Sequence, residues 1–461
     1  MMLLQEAAHV LNARSQGENV LFTGVSTDSR TLKIGDLFVA LSGERFEGYR
    51  FIHAAKNNGA VAAMVGMNAD DEALSAGISF IQVNDTRKGL GQLAAFWRAR
   101  FSMPLVAVTG SNGKTTVKDM LAAILCQAIT GANGFEVASS VLATEGNLNN
   151  DIGMPLMLLR MRDTHRYAVI EMGMNHMGEI AYLTELAKPD VAVVTNAGLA
   201  HIQGLGTVKA VARAKGEIFS GLDEQGIAVI NADDPHASLW RMLAGGRRII
   251  NFGLGDQTRR VQVSAEYQTG GTGSLLQLRL LDEVVDVSLK VPGVHNIRNA
   301  LAAAAAAVAI NIDGKAIAAG LGNFKGVRGR LQRKIGLHHA ALIDDSYNAN
   351  PESVRAALSV LAAEAGKKIL VLGDMGELGK ASIELHRMIG EEARRANLDR
   401  LLTLGELSKF ASDAFGQGAE HFSDVDKLLD VAESLLAKDV TLLVKGSRLM
   451  RMERIIDRLE A

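Results

Sequence analysis

The chain has 461 residues, enough for about three domains at roughly 150 residues each, which excludes a single small module. Its 49 Lys and Arg against 51 Asp and Glu leave a net charge of −2, which excludes the global positive field of a nucleic-acid or anionic-membrane binder. A hydrophobic fraction of 48% with 22% charged residues is that of a chain with filled cores and excludes extended disorder.

The first ten residues include Glu6 and lack a cationic stretch and a long apolar stretch, so no secretory signal is read there. Apolar runs at 37–41, 60–65 and 78–83, separated by polar and small residues, predict the strands of a small α/β unit. Leu90, Leu93, Ala94 and Trp97 then mark one face of a helix. The run 105–109 enters a glycine-rich turn directly, giving a strand, a phosphate-type loop and a helix. That helix carries Cys126, the lone cysteine, which excludes an internal disulfide and a cysteine-rich zinc site and reads as a buried, inert thiol.

Further buried strands are predicted at 167–170, 191–195, 227–230 and 248–252, with helical stretches between most of them, as in a mostly parallel sheet covered on both faces. Between 261 and 291 the pattern changes to alternation, clearest in Leu275-Leu276-Gln277-Leu278-Arg279-Leu280, which predicts an antiparallel appendage. An alanine-rich helix follows from Asn296 to about Ile310; its apolar run lies well short of the ~20 residues of a bilayer span, so membrane insertion is not expected. From about Gly326, strands at 342–343, 369–372, 401–404 and 440–444 alternate with helices in a Rossmann-like unit, without the glycine fingerprint of dinucleotide binding. The fold class is therefore α/β in three domains: 1–84, 85–326 and 327–461.

The strongest chemical signal is TGSNGKTT at 109–116. Backbone N–H groups of Gly110, Ser111, Asn112, Gly113 and Thr116 and the helix start can cradle phosphate oxygens. Lys114 adds a point charge, and the Thr115 hydroxyl suits Mg²⁺. Five residues before Gly113 stands Val108 rather than glycine, so the loop is a shortened one or a chance turn; a turn alone has no need of Lys-Thr-Thr. Glu171 ends one predicted strand, and Asn196, with His201 five residues on, ends another, the position where open α/β sheets bind ligands. Glu171 as a helix cap and His201 as an ordinary loop histidine are competing readings. Lys215 is by default a solvated helix lysine. Asn296 and Asn299 share a helix face and could read a base edge, or Asn296 could cap the helix.

Taken together, TGSNGKTT, the Glu171-Met172-Gly173 strand end, the Asn196/His201 pair, Ala214-Lys215-Gly216-Glu217-Ile218, His295-Asn296-Ile297-Arg298-Asn299 and Arg330-Leu331 resemble, in order and spacing, the Mur ligase family. The resemblance covers essentially the whole chain. Ser26-Thr27-Asp28-Ser29-Arg30, the stretch 146–155, the stretch 344–351 and the stretch 372–379 are similar to the branch that adds D-alanyl-D-alanine, and the D-N-P-R motif of the diaminopimelate-adding branch is absent.

The resemblance implies a cytoplasmic, monomeric enzyme that uses ATP and Mg²⁺ to join the carboxylate of UDP-N-acetylmuramoyl-tripeptide to the amine of D-Ala-D-Ala through an acyl phosphate. It further implies ATP phosphates at 110–116, with Lys114 on the transferring group, adenine at Asn296 and Asn299, ribose at Asp345, and phosphates again at Arg330. One Mg²⁺ would sit on Thr115 and Glu171, and a second on His201 with Lys215, if that lysine is carbamylated. Ser26, Asp28, Ser29 and Arg30 would take the UDP moiety and Asn147, Asn149 and Asn150 the muramoyl peptide. The dipeptide would meet Tyr347, Asn348 and Asn350, whose other reading is a polar turn around Pro351. Ala200 departs from the Asp of several relatives, which removes a carboxylate role there and leaves His201 untouched. Two other classes stay in view: a P-loop switch or motor, marked by substrate-independent ATP hydrolysis, and a silent binding protein, against which intact Lys114, Glu171 and His201 argue. Because the expected ATP contacts are split between the second and third domains, an open arrangement is predicted before ligands bind.

Overall fold

A computed structural model describes residues 1–43, 46–129, 139–200, 202–255 and 261–461. Three principal sheets organise the described residues. The N-terminal sheet has five strands in the order Arg14–Gln16, Ser79–Val83, Ala62–Gly66, Asp36–Val39 and Gly24–Ser26; only the first pairs antiparallel. The central sheet has nine: Val141–Ala143, Tyr167–Glu171, Leu105–Thr109, Val191–Val194, Ile227–Asn231 and Arg248–Phe252 run parallel, and Val263–Thr269 joins parallel at Phe252–Val263. Ser274–Leu280 and Glu283–Leu289 complete it antiparallel. In the C-terminal sheet Gln332–Ile335 lies antiparallel beside Ala341–Asp345, and the parallel order continues through Val440–Lys445, Lys367–Gly373, Arg400–Leu404 and Ala419–Phe422.

The predicted antiparallel segment extends the central sheet rather than standing apart from it. Its inward residues, Leu276, Leu278, Leu280, Val287 and Leu289, are buried in one core with the alanine-rich helix, which spans Val294–Ala309. Alanine side chains let that helix press closely on the sheet. Strands the pattern did not reveal, such as Arg14–Gln16, Gly24–Ser26 and Val141–Ala143, are three-residue edge strands, too short to leave a periodic signature. Cys126 is only half-buried, because the Lys114–Ala128 helix turns that position away from its packed face.

The helix Thr86–Arg98 joins the first two sheets. Its Leu90, Leu93 and Trp97 pack with Leu37, Met64 and Ile81 on one side and with Met154, Met157 and Leu183 on the other. The C-terminal sheet has cores of its own on both faces. It meets the central unit through specific polar contacts: Arg330 Nη2 donates to Thr115 Oγ1 at 3.0 Å, Asn350 Nδ2 to Asn112 Oδ1 at 2.8 Å, and the Leu199 N–H to Glu352 Oε1 at 3.0 Å.

The helix Gly314–Asn323 approaches the Lys114–Ala128 helix so closely that a Cβ at Gly320 would stand 2.3 Å from Ile124 Cα. The neighbour is backbone and cannot rotate aside. Gly320→Ala gains about 1 kcal/mol of helix propensity and loses more to the clash, so a net destabilisation of about 1–2 kcal/mol is expected; urea unfolding of the two proteins measures it, and an unchanged midpoint would contradict the close approach.

Candidate active site

The loop 110–113 links the buried strand Leu105–Thr109 to the Lys114–Ala128 helix, whose first-turn N–H groups have no partner within the helix and face the loop. Gly113 has φ +83°, a left-handed conformation, and a Cβ there would meet Asn299 Oδ1 at 2.3 Å, so glycine is required twice over. Asn196 braces the loop: its Oδ1 accepts the Asn112 N–H at 2.9 Å and its Nδ2 donates to Asn112 O at 3.0 Å. Ser111 Oγ accepts the Gly198 N–H at 2.9 Å. Lys114 folds back to donate to Gly110 O at 2.7 Å, and burial lowers its pKa below the ordinary lysine value.

Thr115 is the meeting point. Its hydroxyl donates to Glu171 Oε2 at 2.8 Å and accepts from Arg330. Glu171 is buried at the end of Tyr167–Glu171, where its second oxygen accepts from Asn149 Nδ2 at 2.7 Å; it caps no helix, which settles the competing reading.

Lys215 is not the solvated lysine expected by default. It is 0% exposed on the helix Val208–Gly216, its Nζ has no hydrogen-bond partner among the described residues, and its pKa falls well below the usual value. Burial is the main cause and the Lys114 charge adds to it, while Glu171 opposes it. Burial therefore favours the neutral amine over the ammonium. Its predicted companion His201 lies outside the described residues. Among those described, no group of three or more His, Cys, Asp or Glu gathers into a metal cluster.

Ser111, Asn112, Gly113, Lys114, Thr116, Glu171, Asn196 and Arg330 line a cavity of about 620 Å³ between the central and C-terminal units, and Thr115 and Lys215 lie behind its wall rather than on it. Asn147, Asn149, Asn150, Asn296, Asn299, Asp345, Tyr347, Asn348 and Asn350 all reach it. Asn296 is not the helix cap, a position taken by Gly293; its Nδ2 donates to Pro292 O and its Oδ1 accepts from Asn299. Asn150 Oδ1 accepts the N–H groups of Ile152 and Gly153. Asp345 is paired with Lys445 at 2.5 Å and accepts the Leu331 N–H. Tyr347 lies under the Arg330 guanidinium, 4.4 Å from it. Asn350 caps the helix Pro351–Ala362 while reaching Asn112, so both ends of its amide are engaged.

Ser26, Asp28, Ser29 and Arg30 are not brought into this cavity; they stand in the N-terminal unit, where Arg30 pairs with Asp28 at 2.7 Å and its hydrogen bonds hold that carboxyl at about 2. Sequence reasoning missed Glu352, Lys445 and Arg448, which also line the cavity. Lys445 ends a buried parallel strand, the same signal that located Glu171. A second cavity of about 670 Å³ beside Asp233 and Asp234 holds none of the loop residues, and those carboxylates are taken up by the N–H groups of Ala197, His236, Leu254 and Gly255.

Comparison with known proteins agrees with this architecture. Residues 108–307 match the Mur ligase middle domain, 329–448 the Mur ligase glutamate ligase domain, and 21–98 the Mur ligase family catalytic domain. The chain belongs to the Mur ligase family. Within that family it is 42% identical over 459 residues to the UDP-N-acetylmuramoyl-tripeptide–D-alanyl-D-alanine ligase of Escherichia coli, covering 99% of this chain and 98% of the relative. The solved structure of MurF from Acinetobacter baumannii superposes with a TM-score of 0.90 at 34% identity, over 99% of this chain and 98% of that one. MurF ligase from Thermotoga maritima in complex with ADP gives 0.81 at 28% identity, over 96% and 98%. Among the described residues of this Mur ligase no helix is long and apolar enough to cross a membrane.

His295, at the start of the alanine-rich helix, has its pKa lowered to about 4, by burial first and then by the Lys445 and Arg298 charges. A folded pKa below the unfolded value of about 6.5 means that the unfolded chain binds the proton first. Stability from neutral His295 is complete above that value and is lost as pH falls toward about 4. Unfolding free energy measured across this window is expected to decline less steeply for His295→Asn than for the native chain; equal slopes would contradict it.

Proposed function

We propose that this chain joins D-alanyl-D-alanine to UDP-N-acetylmuramoyl-tripeptide, converting ATP to ADP and phosphate and giving the UDP-linked pentapeptide. The observation that carries the reading is the convergence on Thr115 of Glu171 from the central sheet and Arg330 from the C-terminal unit, across a phosphate-type loop. The 42% identity to the Escherichia coli relative supports the choice of substrates. The three units, 1–84, 85–326 and 327–461, would bind the UDP-muramoyl peptide, bind ATP and complete the ligase site, in a cytoplasmic monomer.

A carboxylate is a poor acyl donor, so the tripeptide carboxylate first attacks the γ-phosphate, forming an acyl phosphate and releasing ADP. The dipeptide amine then attacks the acyl carbon, loses a proton, and phosphate leaves. The protein's part is positioning and charge. Loop N–H groups from Gly110 to Thr116 and the Lys114 ammonium face the phosphates. Arg330 closes over the transferring group, and Asn296 and Asn299 take adenine, with Asp345 at the ribose. Asn147, Asn149 and Asn150 line the muramoyl-peptide side, Ser26, Asp28, Ser29 and Arg30 the UDP side, and Tyr347 and Asn348 the dipeptide side. Contact between the central and C-terminal units keeps water from the acyl phosphate.

The Thr115 hydroxyl, in the first turn of the Lys114–Ala128 helix, and the Glu171 carboxylate, at the carboxyl end of a parallel strand, stand 2.8 Å apart and are hard oxygen donors that fit Mg²⁺. Mg²⁺ held there supplies charge neutralisation at the triphosphate. Lys215 fits carbamylation, because only a neutral amine adds CO₂ and its Nζ is unpartnered among the described residues. The carbamate would turn a buried amine into an oxygen ligand for a metal ion.

Phosphate release from ATP and Mg²⁺ is expected to require both UDP-N-acetylmuramoyl-tripeptide and D-Ala-D-Ala, with the pentapeptide appearing by mass. Release independent of the dipeptide, or seen only with a shorter muramoyl peptide or a folate, would overturn the substrates. Arg330→Ala should lower kcat about 10²–10³-fold, the usual loss for a group that stabilises developing charge. Protein equilibrated with ¹³C-bicarbonate is expected to show a carbamate carbon resonance that Lys215→Arg lacks; identical spectra would leave Lys215 a plain buried amine.

A further inference from the structure

Beyond the residues assigned above, the structure assigns Arg448 and Leu449 to a subsite for the free carboxylate and terminal methyl group of the incoming dipeptide, an inference that rests on the ligase reading. D-Ala-D-Ala brings two charged ends. Its amine must reach the acyl carbon beside Arg330, and its carboxylate needs a cation of its own.

The five Lys and Arg side chains among the cavity's lining residues are Lys114, Arg298, Arg330, Lys445 and Arg448. Lys114 is folded into the phosphate loop, Arg330 is on Thr115, and Lys445 is buried against Asp345. Arg298 sits on the alanine-rich helix between Asn296 and Asn299, the residues read above as the adenine contacts, and is paired with Asp233 at 3.9 Å. Arg448 is what remains. Its side chain is 59% exposed and paired with Glu453 at 2.8 Å. An exposed pair of this kind is weak, so the guanidinium can accept an incoming carboxylate at little loss.

Its placement fits the length of the ligand. Arg330 and Arg448 lie 4.4 Å and 5.8 Å from the centroid of the same Tyr347 ring. Their guanidinium carbons are thus at most about 10 Å apart, and a dipeptide extends to about 7 Å. With a contact distance at each end, the dipeptide is therefore long enough to span that separation. The Arg448 N–H donates to Asn348 Oδ1 at 3.3 Å, which ties the two loops that frame the space. Leu449 is 88% exposed at the cavity wall, an apolar surface for a methyl group next to the cation.

The test compares D-Ala-D-Ala with its C-terminal amide, which lacks the negative charge, in the native enzyme, Arg448→Gln, Arg448→Lys and Leu449→Ser. The native enzyme is expected to prefer the free acid. Arg448→Gln should lose about 10–100-fold in kcat/KM for the acid through KM, with the amide unaffected and the KM values for ATP and UDP-tripeptide unchanged. Arg448→Lys should restore part of the preference, and Leu449→Ser should weaken both dipeptides equally. Undiminished acid preference in Arg448→Gln would place the carboxylate elsewhere and overturn the subsite. Equal loss for acid and amide in Arg448→Gln would make Arg448 merely structural and also overturn it. A native enzyme that ligates neither dipeptide, yet ligates another amine to the same acceptor, would overturn the ligase reading itself and the subsite with it.

Discussion

The site depends on an imbalance of charge in a dry place. Lys114, Lys215 and Arg330 are gathered around one buried carboxylate, Glu171, with Thr115 Oγ1 linking that carboxylate to the arginine. The two lysines repel each other, and burial disfavours the charge on both. Such an arrangement is unfavourable unless one amine goes neutral or an anion arrives. Burial moves Lys215 toward the first course, and a polyphosphate suits the second. Loop geometry, lysine burial and the reach of Arg330 are parts of one electrostatic problem with one chemical solution.

That solution is shared between units of the fold, which ties chemistry to domain position. The central sheet supplies the loop, Glu171 and Lys215, whereas Arg330 comes from the C-terminal unit on a turn held by Asp345 and Lys445. Leu331, next in the chain, has φ +51°, an uncommon conformation for a branched side chain, and its N–H is fixed by the Asp345 carboxylate. The buried pair thus sets the direction of Arg330. Asn350 does similar work: as the cap of Pro351–Ala362 it also reaches Asn112, so the start of a C-terminal helix is registered against the phosphate loop. A shift of the C-terminal unit would remove Arg330 and Asn350 from the loop together.

The elements most legible in the chain were those whose physics is local. Buried parallel strands need unbroken apolar runs, and each one predicted in the central sheet is present; the three-residue edge strands carry too few side chains to leave a pattern. Glu171 was found because it ends such a run. Lys445 ends another and went unnoticed, since a lysine after a strand is ordinary until its partner Asp345, one hundred residues away, is seen. Asn350 lines the cavity and also caps a helix and reaches the loop, roles decided by what stands opposite it.

By itself the sequence determined the phosphate loop, the strand ends that face it and the family, because a turn with a left-handed glycine, a helix start and a lysine is specified by consecutive residues. Only the tertiary structure decided that Lys215 is buried and without a partner among the described residues, that Ser26, Asp28, Ser29 and Arg30 stand apart from the cavity at the loop, and that Arg448 shares a ring with Arg330. Those facts concern desolvation and charge across space. Both depend on which distant segments pack together, and no local spacing in a chain encodes them.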